Sequence, residues 1–185
     1  MDFDENIKEE SLFHFAKLSF ELSYSPFNEA IQSFQKYIEM YPNSPRIDEA
    51  YKYLSKAFLY SKNYNEAIEA MENIKHITPE IEEAYQSACF YHGIELFKNL
   101  DYEKAIITFD KSLNNAKYNK LYAAQAIYWK AEAFYRLKNY EQALKLFNKF
   151  LTTPGAFGTD IFAMAHYNIA YCYMKQKDYA NAQIW

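Results

Sequence analysis

The stretch "KNYEQALKLF" at residues 138–147 is one copy of a pattern that recurs along the whole chain. Close variants are "KNYNEAIEAM" at 62–71, "LDYEKAIITF" at 100–109 and "KDYANAQIW" at 177–185. A weaker first copy extends the set, and the alanines that align are Ala30, Ala67, Ala105, Ala143 and Ala182. The steps between them are 37, 38, 38 and 39 residues, which indicates a repeated structural unit.

Other residues stand at fixed distances from each alanine. Four residues after it comes a large apolar side chain: Phe34, Met71, Phe109 and Phe147. Twelve residues before it, in the last four copies, comes a small residue: Ser55, Gly93, Ala131 and Ala170. A small residue lets two helices cross closely while a large neighbour fills the adjoining space. The pattern therefore predicts that each unit is a pair of antiparallel helices.

Composition agrees with an all-α fold. The 185 residues include three glycines and no valine, whereas Ala, Leu, Glu, Lys, Gln and Ile are plentiful. None of the five prolines lies in the interior of a predicted helix, as expected of a residue that lacks an N–H. The predicted helices cover residues 9–23, 26–40, 46–61, 64–77, 79–99, 102–114, 120–137, 140–152, 159–176 and 179 onward.

These residues resemble the tetratricopeptide repeat family over residues 12–185. The resemblance implies a single array of about five antiparallel helix pairs, wound into a right-handed superhelical solenoid. Its predicted units are 9–42, 46–78, 79–117, 120–154 and 159–185, the last of them incomplete. The wording "YWKAEAFYRLKNYEQA" at 128–143 and "YPNSPRIDEAYKYL" at 41–54 is similar to bacterial cell-envelope members of the Tol–Pal coordinator and outer-membrane assembly lipoprotein type. The composition also resembles that of Bacteroidetes proteins.

In this family the first helix of each unit lines a concave groove that binds a protein or peptide. Residues at i, i+4, i+7 and i+8 share one side of a helix, so spacing names the candidates for that face. They are Lys52, Lys56, Phe90, Ile94, Phe97, Tyr128, Glu132, Tyr135, Arg136, Tyr167, Tyr171 and Lys175. Tyrosine and arginine often carry interface energy. The alternative is that several of these aromatic residues pack between adjacent repeats.

The resemblance implies a non-catalytic scaffold for a protein or peptide partner, with a role in cell-envelope assembly. It also implies a periplasmic or outer-membrane location, although a cytoplasmic one stays open. The alternative is a ligand-sensing regulatory domain of a larger bacterial signalling protein. The sequence names neither the partner nor the compartment.

Enzymatic chemistry is not expected. Cys89 and His92 have an i, i+3 spacing, but a metal site needs three or four converging ligands. The glycines of "TTPGAFGTD" at 152–160 follow a predicted helix and lack the lysine of a phosphate-binding loop. We therefore predict no catalytic residues, no metal and no cofactor.

Charge and hydropathy limit the partners. The net charge is −4 and no basic run is present, so nucleic acid is not expected as a partner. No apolar run approaches the roughly 20 residues that cross a bilayer, so no direct membrane insertion is expected. The last copy stops soon after Ala182, which predicts a fragment of a longer array. Its uncovered apolar residues, Tyr173, Ile184 and Trp185, predict self-association.

Overall fold

The computed structural model describes residues 4–22 and 27–185, and within these ranges every regular element is a helix. The all-α prediction is therefore confirmed for that part of the chain. In chain order the helices are α1 (Glu5–Leu22), α2 (Asn28–Met40), α3 (Ile47–Tyr60), α4 (Tyr64–Glu72), α5 (Pro79–Lys98), α6 (Tyr102–Asn114), α7 (Lys120–Arg136), α8 (Tyr140–Leu151), α9 (Ile161–Lys175) and α10 (Tyr179–Ala182). None of them is long and apolar enough to cross a membrane.

The chain divides into two compact units, Met1–Ala88 and Cys89–Trp185, with the division inside α5. In the first unit α1 packs against α2, α2 against α3 and α3 against α4. In the second unit α6 packs against α7, α7 against α8, α8 against α9 and α9 against α10. All of these pairs are helices that follow one another in the chain, as expected when short connections join antiparallel helices.

The repeated residues form the cores of both units. The alanines at 30, 67, 105 and 143 are fully buried, and the partner residues Phe34, Phe109 and Phe147 are fully buried as well. Met71 takes the same position in α4 and is also buried. The alanines and the large apolar residues four positions after them thus lie on the buried side of the second helices, at the spacing that recurs in the sequence.

Gly93 shows how close one of these crossings is. A Cβ atom built at Gly93 would lie 2.6 Å from Cε1 of the buried Phe109 ring, which is far inside van der Waals contact. Glycine within a helix costs about 1 kcal/mol relative to alanine. Glycine stands here despite this cost because α5 and α6 approach so closely that a larger residue would clash with Phe109.

The turns inside the helix pairs share one backbone geometry. After α7, the Lys138 N–H donates to the Tyr135 carbonyl at 2.9 Å, and the Asn139 N–H donates to the Phe134 carbonyl at 2.9 Å. This pair of bonds is the Schellman motif, which closes a helix with one residue in the left-handed region. The same bonds end α3, α5 and α9. The recurrent sequence "KNY" or "KDY" therefore marks a tight turn that reverses the direction of the chain between the two helices.

Polar caps begin some of the second helices. The Asn139 side chain accepts from the Gln142 N–H at 3.2 Å, and the Asp178 side chain accepts from the Asn181 N–H at 3.2 Å. Asn63 stands at the same position before α4 but makes no such cap, because its side-chain amide donates to the Ser61 hydroxyl at 3.4 Å.

Two helices have bounds that differ clearly from the predicted ones, and one predicted bound lies outside the described residues. Helix α4 ends at Glu72 rather than 77, because the Asp48 carboxylate accepts the N–H groups of Lys75 and His76 at 2.9 and 3.0 Å. Helix α1 begins at Glu5 rather than 9, behind an Asp4 side chain that accepts from the Asn6 N–H. The predicted start of the second helix at 26 falls on residues 23–26, which lie outside the described residues.

Candidate protein-binding site

The two lysines predicted for the binding site in the first unit bind the same carboxylate. Lys52 and Lys56 lie one turn apart on α3, and both ammonium groups bind the carboxylate of Glu80 in the first turn of α5. The Nζ–O distances are 2.9 Å for Lys52 and 3.1 Å for Lys56. Both lysines are half-buried, as is common for a long side chain whose aliphatic part packs on protein while its charged end stays polar.

These lysines line an open cleft of about 190 Å³, called here the basic cleft. Its apolar wall includes Leu59 and Tyr60 of α3, Met71 of α4, and Ile81 of α5. The remaining lining residues are Lys52, Lys56, Ser55, Glu80 and Ala84. The basic cleft therefore combines a mainly apolar wall with a pair of cations at one side.

Glu80 is held as an anion at this site. Hydrogen bonds from Lys52 and then Lys56 lower the pKa of its carboxyl group below the ordinary value. Its side chain nevertheless remains 58% exposed. The lysine pair thus binds a carboxylate that solvent and other molecules can reach.

Three of the predicted groove residues are not at the surface of the second unit. Phe90, Tyr128 and Glu132 are only 5%, 3% and 8% exposed. Phe90 stacks on Tyr122 with ring centroids 4.9 Å apart, and Tyr128 packs edge-on against Phe150 at 5.3 Å. The prediction that these three side chains face a partner is wrong, because packing with neighbouring helices takes their surface.

Ile94 and Phe97 have an intermediate position. Both are half-buried, and both pack against the cluster around Phe90 and Phe109. The Phe97 ring also meets Trp129 with a centroid distance of 5.2 Å. These two residues therefore pack between helices, as the alternative interpretation of the aromatic residues holds, and a role in binding stays a prediction.

The other five candidates of the second unit reach solvent. Tyr167, Tyr171 and Lys175 follow one another at four-residue steps along α9, where Tyr167 is 69% and Tyr171 52% exposed. Arg136, at the end of α7, is exposed, and Tyr135 beside it is half-buried. These five residues are called the tyrosine face: Tyr135, Arg136, Tyr167, Tyr171 and Lys175.

A buried polar network joins α7 to α9. The Asn168 side-chain amide donates to the Tyr128 hydroxyl at 3.1 Å and to the Glu132 carboxylate. Nε of Arg136 lies 3.7 Å from the other oxygen of Glu132. Burial raises the pKa of Glu132, and burial together with the Glu132 charge raises the pKa of Tyr128 to about 12. This network fixes the two helices that carry the tyrosine face.

Two residues that organise these surfaces, Glu80 and Asn168, were not predicted from the sequence. Glu80 lies 28 residues after Lys52, and Asn168 lies 40 residues after Tyr128, so no local spacing connects them. The available signals were weak. Glu80 is an acidic residue directly after a proline that begins a helix, and Asn168 is an amide beside an apolar stripe.

Both cysteines, Cys89 and Cys172, are buried. Cys172 is buried, and burial raises the pKa of its thiol to about 12, so it is a protonated packing residue at neutral pH. Within residues 4–22 and 27–185, no group of three His, Cys, Asp or Glu side chains is placed to hold a metal ion.

Comparison with protein families identifies the repeat. Three models described as Tetratricopeptide repeat match residues 10–44, 92–161 and 163–185. Together these matches cover more than half of the chain. No curated protein sequence gives a significant match.

Solved structures share the fold at low sequence identity. MamA is 17% identical, with 94% of this chain and 85% of that chain covered and a TM-score of 0.51. The apo form of RapI is 18% identical, with 96% and 67% covered and a TM-score of 0.54. BtubC (BKLC) from P. vanneervenii is 12% identical, with 99% and 88% covered and a TM-score of 0.51. Identities this low establish the similarity of fold alone.

Proposed function

Because this chain belongs to the tetratricopeptide repeat family, we propose that it is a non-catalytic scaffold that binds a protein or peptide. The observation that carries the proposal is the tyrosine face. Tyr167 and Tyr171 are exposed on α9, whereas Ala165, Ile169 and Cys172 of the same helix are fully buried. Large aromatic side chains in solvent on a firmly packed helix are a common basis for protein recognition.

The mechanism of the scaffold is presentation of a rigid surface. Asn168 ties α9 to Tyr128 and Glu132 of α7. The tyrosine face therefore loses little conformational freedom when a partner arrives, and more of the contact energy appears as affinity. Arg136 and Lys175 add positive charge beside the tyrosines, which favours a partner with acidic residues.

The test is a double substitution, Tyr167→Ala with Tyr171→Ala. Partners captured from the native organism by the wild-type chain are identified first, and affinity is then measured by calorimetry with the purified partner. We expect at least a tenfold loss, because truncating two interface tyrosines commonly costs above about 1 kcal/mol each. Phe157→Ala is the control, since that ring is also exposed but lies outside the tyrosine face. Unchanged affinity in the double variant would show that the tyrosine face is not the binding site.

The finer parts of the function stay predictions. A role in cell-envelope assembly, with a periplasmic or outer-membrane location, rests on the wording of the repeats alone, and neither the family models nor the solved structures support it. The full-length gene provides the test. A signal peptide or lipoprotein cysteine would favour the envelope role, whereas a DNA-binding or kinase segment would favour the ligand-sensing alternative. The exclusion of nucleic acid and the expected self-association are likewise open to measurement.

A further inference from the structure

The basic cleft holds one of the chain's own carboxylates where a ligand's carboxylate would sit. Two ammonium groups converge on Glu80 at 2.9 and 3.1 Å. They come from one helix and the carboxylate comes from another, so the pairing is not a local helical contact. Directly beside the ion pairs runs the apolar wall of Leu59, Met71 and Ile81.

We propose that Glu80 is a built-in competitor, which occupies the Lys52 and Lys56 pair until an acidic side chain of a partner peptide displaces it. This inference rests on the proposed protein-binding function and names the chemistry of the segment that the first unit takes. That segment carries a carboxylate close to one large apolar side chain.

Charge complementarity is the reason that the bound segment carries an acidic side chain. The two lysines together carry more positive charge than one carboxylate neutralises, so an incoming anion is attracted and an incoming cation is repelled. Displacing Glu80 costs little, because each exposed ion pair contributes only about 0–1 kcal/mol. A side chain that is 58% exposed can also turn into water, where its charge is solvated.

The apolar wall of the basic cleft determines which apolar side chain the bound segment carries. An apolar cavity of about 150 Å³ accommodates a benzene-sized molecule. The basic cleft has about 190 Å³, is open to solvent and is lined mainly by carbon atoms. One leucine or phenylalanine side chain therefore fits beside the lysines, and Tyr60 offers its exposed ring at the rim.

A set of labelled peptides tests the proposal on the full chain. Each short peptide carries one Glu and one Leu, separated by zero to three glycines, and matched peptides replace Glu by Gln or Leu by Ser. Binding is followed by fluorescence anisotropy at about 50 mM and about 300 mM salt, because exposed charge pairs weaken as salt rises. We expect the Glu–Leu peptides to bind best, and more weakly at the higher salt.

Variants separate competition from a structural role of Glu80. Competition predicts that Glu80→Gln tightens Glu–Leu binding by about three- to tenfold, since the lysines are released. The double variant Lys52→Met with Lys56→Met should remove the preference for Glu over Gln. Glu39→Gln, which removes an exposed charge from α2, is the control and should change nothing. Circular dichroism and thermal unfolding report whether each variant stays folded.

Several outcomes would overturn the proposal. If Glu80→Gln is folded and binds no tighter than the wild type, Glu80 is structural rather than a competitor. Equal binding of the Glu and Gln peptides, or binding by none of the set, would equally refute it. The scaffold function is tested separately by the tyrosine-face variant, so failure of this inference can be told apart from failure of the proposed function.

Discussion

A single backbone angle recurs in the turns of the helix pairs. The residues at the left-handed position are Lys62, Leu100, Lys138 and Lys177, with φ between 61° and 65°. A side chain in this conformation brings Cβ close to the following carbonyl oxygen, which costs roughly 1–2 kcal/mol, and glycine avoids that cost. None of the chain's three glycines occupies these four turns. Each turn is therefore locally strained, although its hydrogen bonds are complete.

Glycine at one of these positions should stabilise the protein. We expect Lys138→Gly to raise the free energy of unfolding by about 0.5–1 kcal/mol, because relief of strain exceeds the added entropy of the unfolded chain. Urea unfolding followed by circular dichroism measures the change. The matched control is Lys145→Gly, an exposed lysine in the interior of α8, which should lose about 1 kcal/mol. A loss of stability in Lys138→Gly would contradict the assignment of strain.

At the scale of helices, α7 and α9 are joined by polar rather than purely apolar contacts. Asn168 bonds both Tyr128 and Glu132, and the charged or titratable groups nearest Glu132 are Arg136, Tyr135, Tyr128 and Cys172. Burial raises the pKa of Glu132, and the Arg136 charge opposes this only in part. The folded protein therefore holds the Glu132 proton to higher pH than the unfolded chain does.

This linkage gives the stability a pH dependence of known sign. As pH rises above 4.5, the unfolded chain releases this proton first, so the stability contributed by Glu132 falls until its raised folded-state pKa has been passed. Glu132→Gln keeps an acceptor for Asn168 and removes the titration. We expect the variant to be more stable than the wild type at neutral pH by about 1 kcal/mol, with the difference shrinking toward pH 4.5.

Urea unfolding across this pH range measures the difference between Glu132→Gln and the wild type. The control is Glu141→Gln on α8, whose carboxyl pKa is lowered by a hydrogen bond from Lys145 and whose linkage has the opposite sign. We expect no gain at neutral pH in the control. Identical pH profiles for the wild type and Glu132→Gln would rule out the buried-carboxylate explanation.

At the scale of the whole molecule, stability should be distributed over the repeats. In arrays of this kind each repeat contacts only its neighbours, so the total is close to a sum of local terms. The chain divides into units Met1–Ala88 and Cys89–Trp185, each with its own buried alanines and large apolar residues. A defect in one unit should therefore be felt most strongly within that unit.

Gly93→Ala provides such a defect. The added methyl group would meet the buried Phe109 ring, and overpacking of this kind costs about 1–3 kcal/mol. Amide hydrogen exchange should show protection falling more in the second unit than in the first. Adding Phe109→Leu shrinks the obstacle, so the double variant should lose less than the sum of the two single changes. Uniform loss of protection along the chain would instead indicate a single cooperative unit.

The sequence by itself determined the number of helix pairs, the register of their alanines and most helix bounds. Those features depend on local periodicity, on proline and on the turn wording, all of which can be read within one repeat. Tertiary structure decided which groove candidates reach solvent, because packing against neighbouring helices buries Phe90 and Tyr128 and leaves Tyr167 exposed. It also decided the end of α4 at Asp48 and the pairing of Glu80 with two lysines. These contacts join residues 24 to 28 positions apart, and the bond from Asn168 to Tyr128 spans 40, so they depend on how the helices pack and leave no local pattern in the sequence.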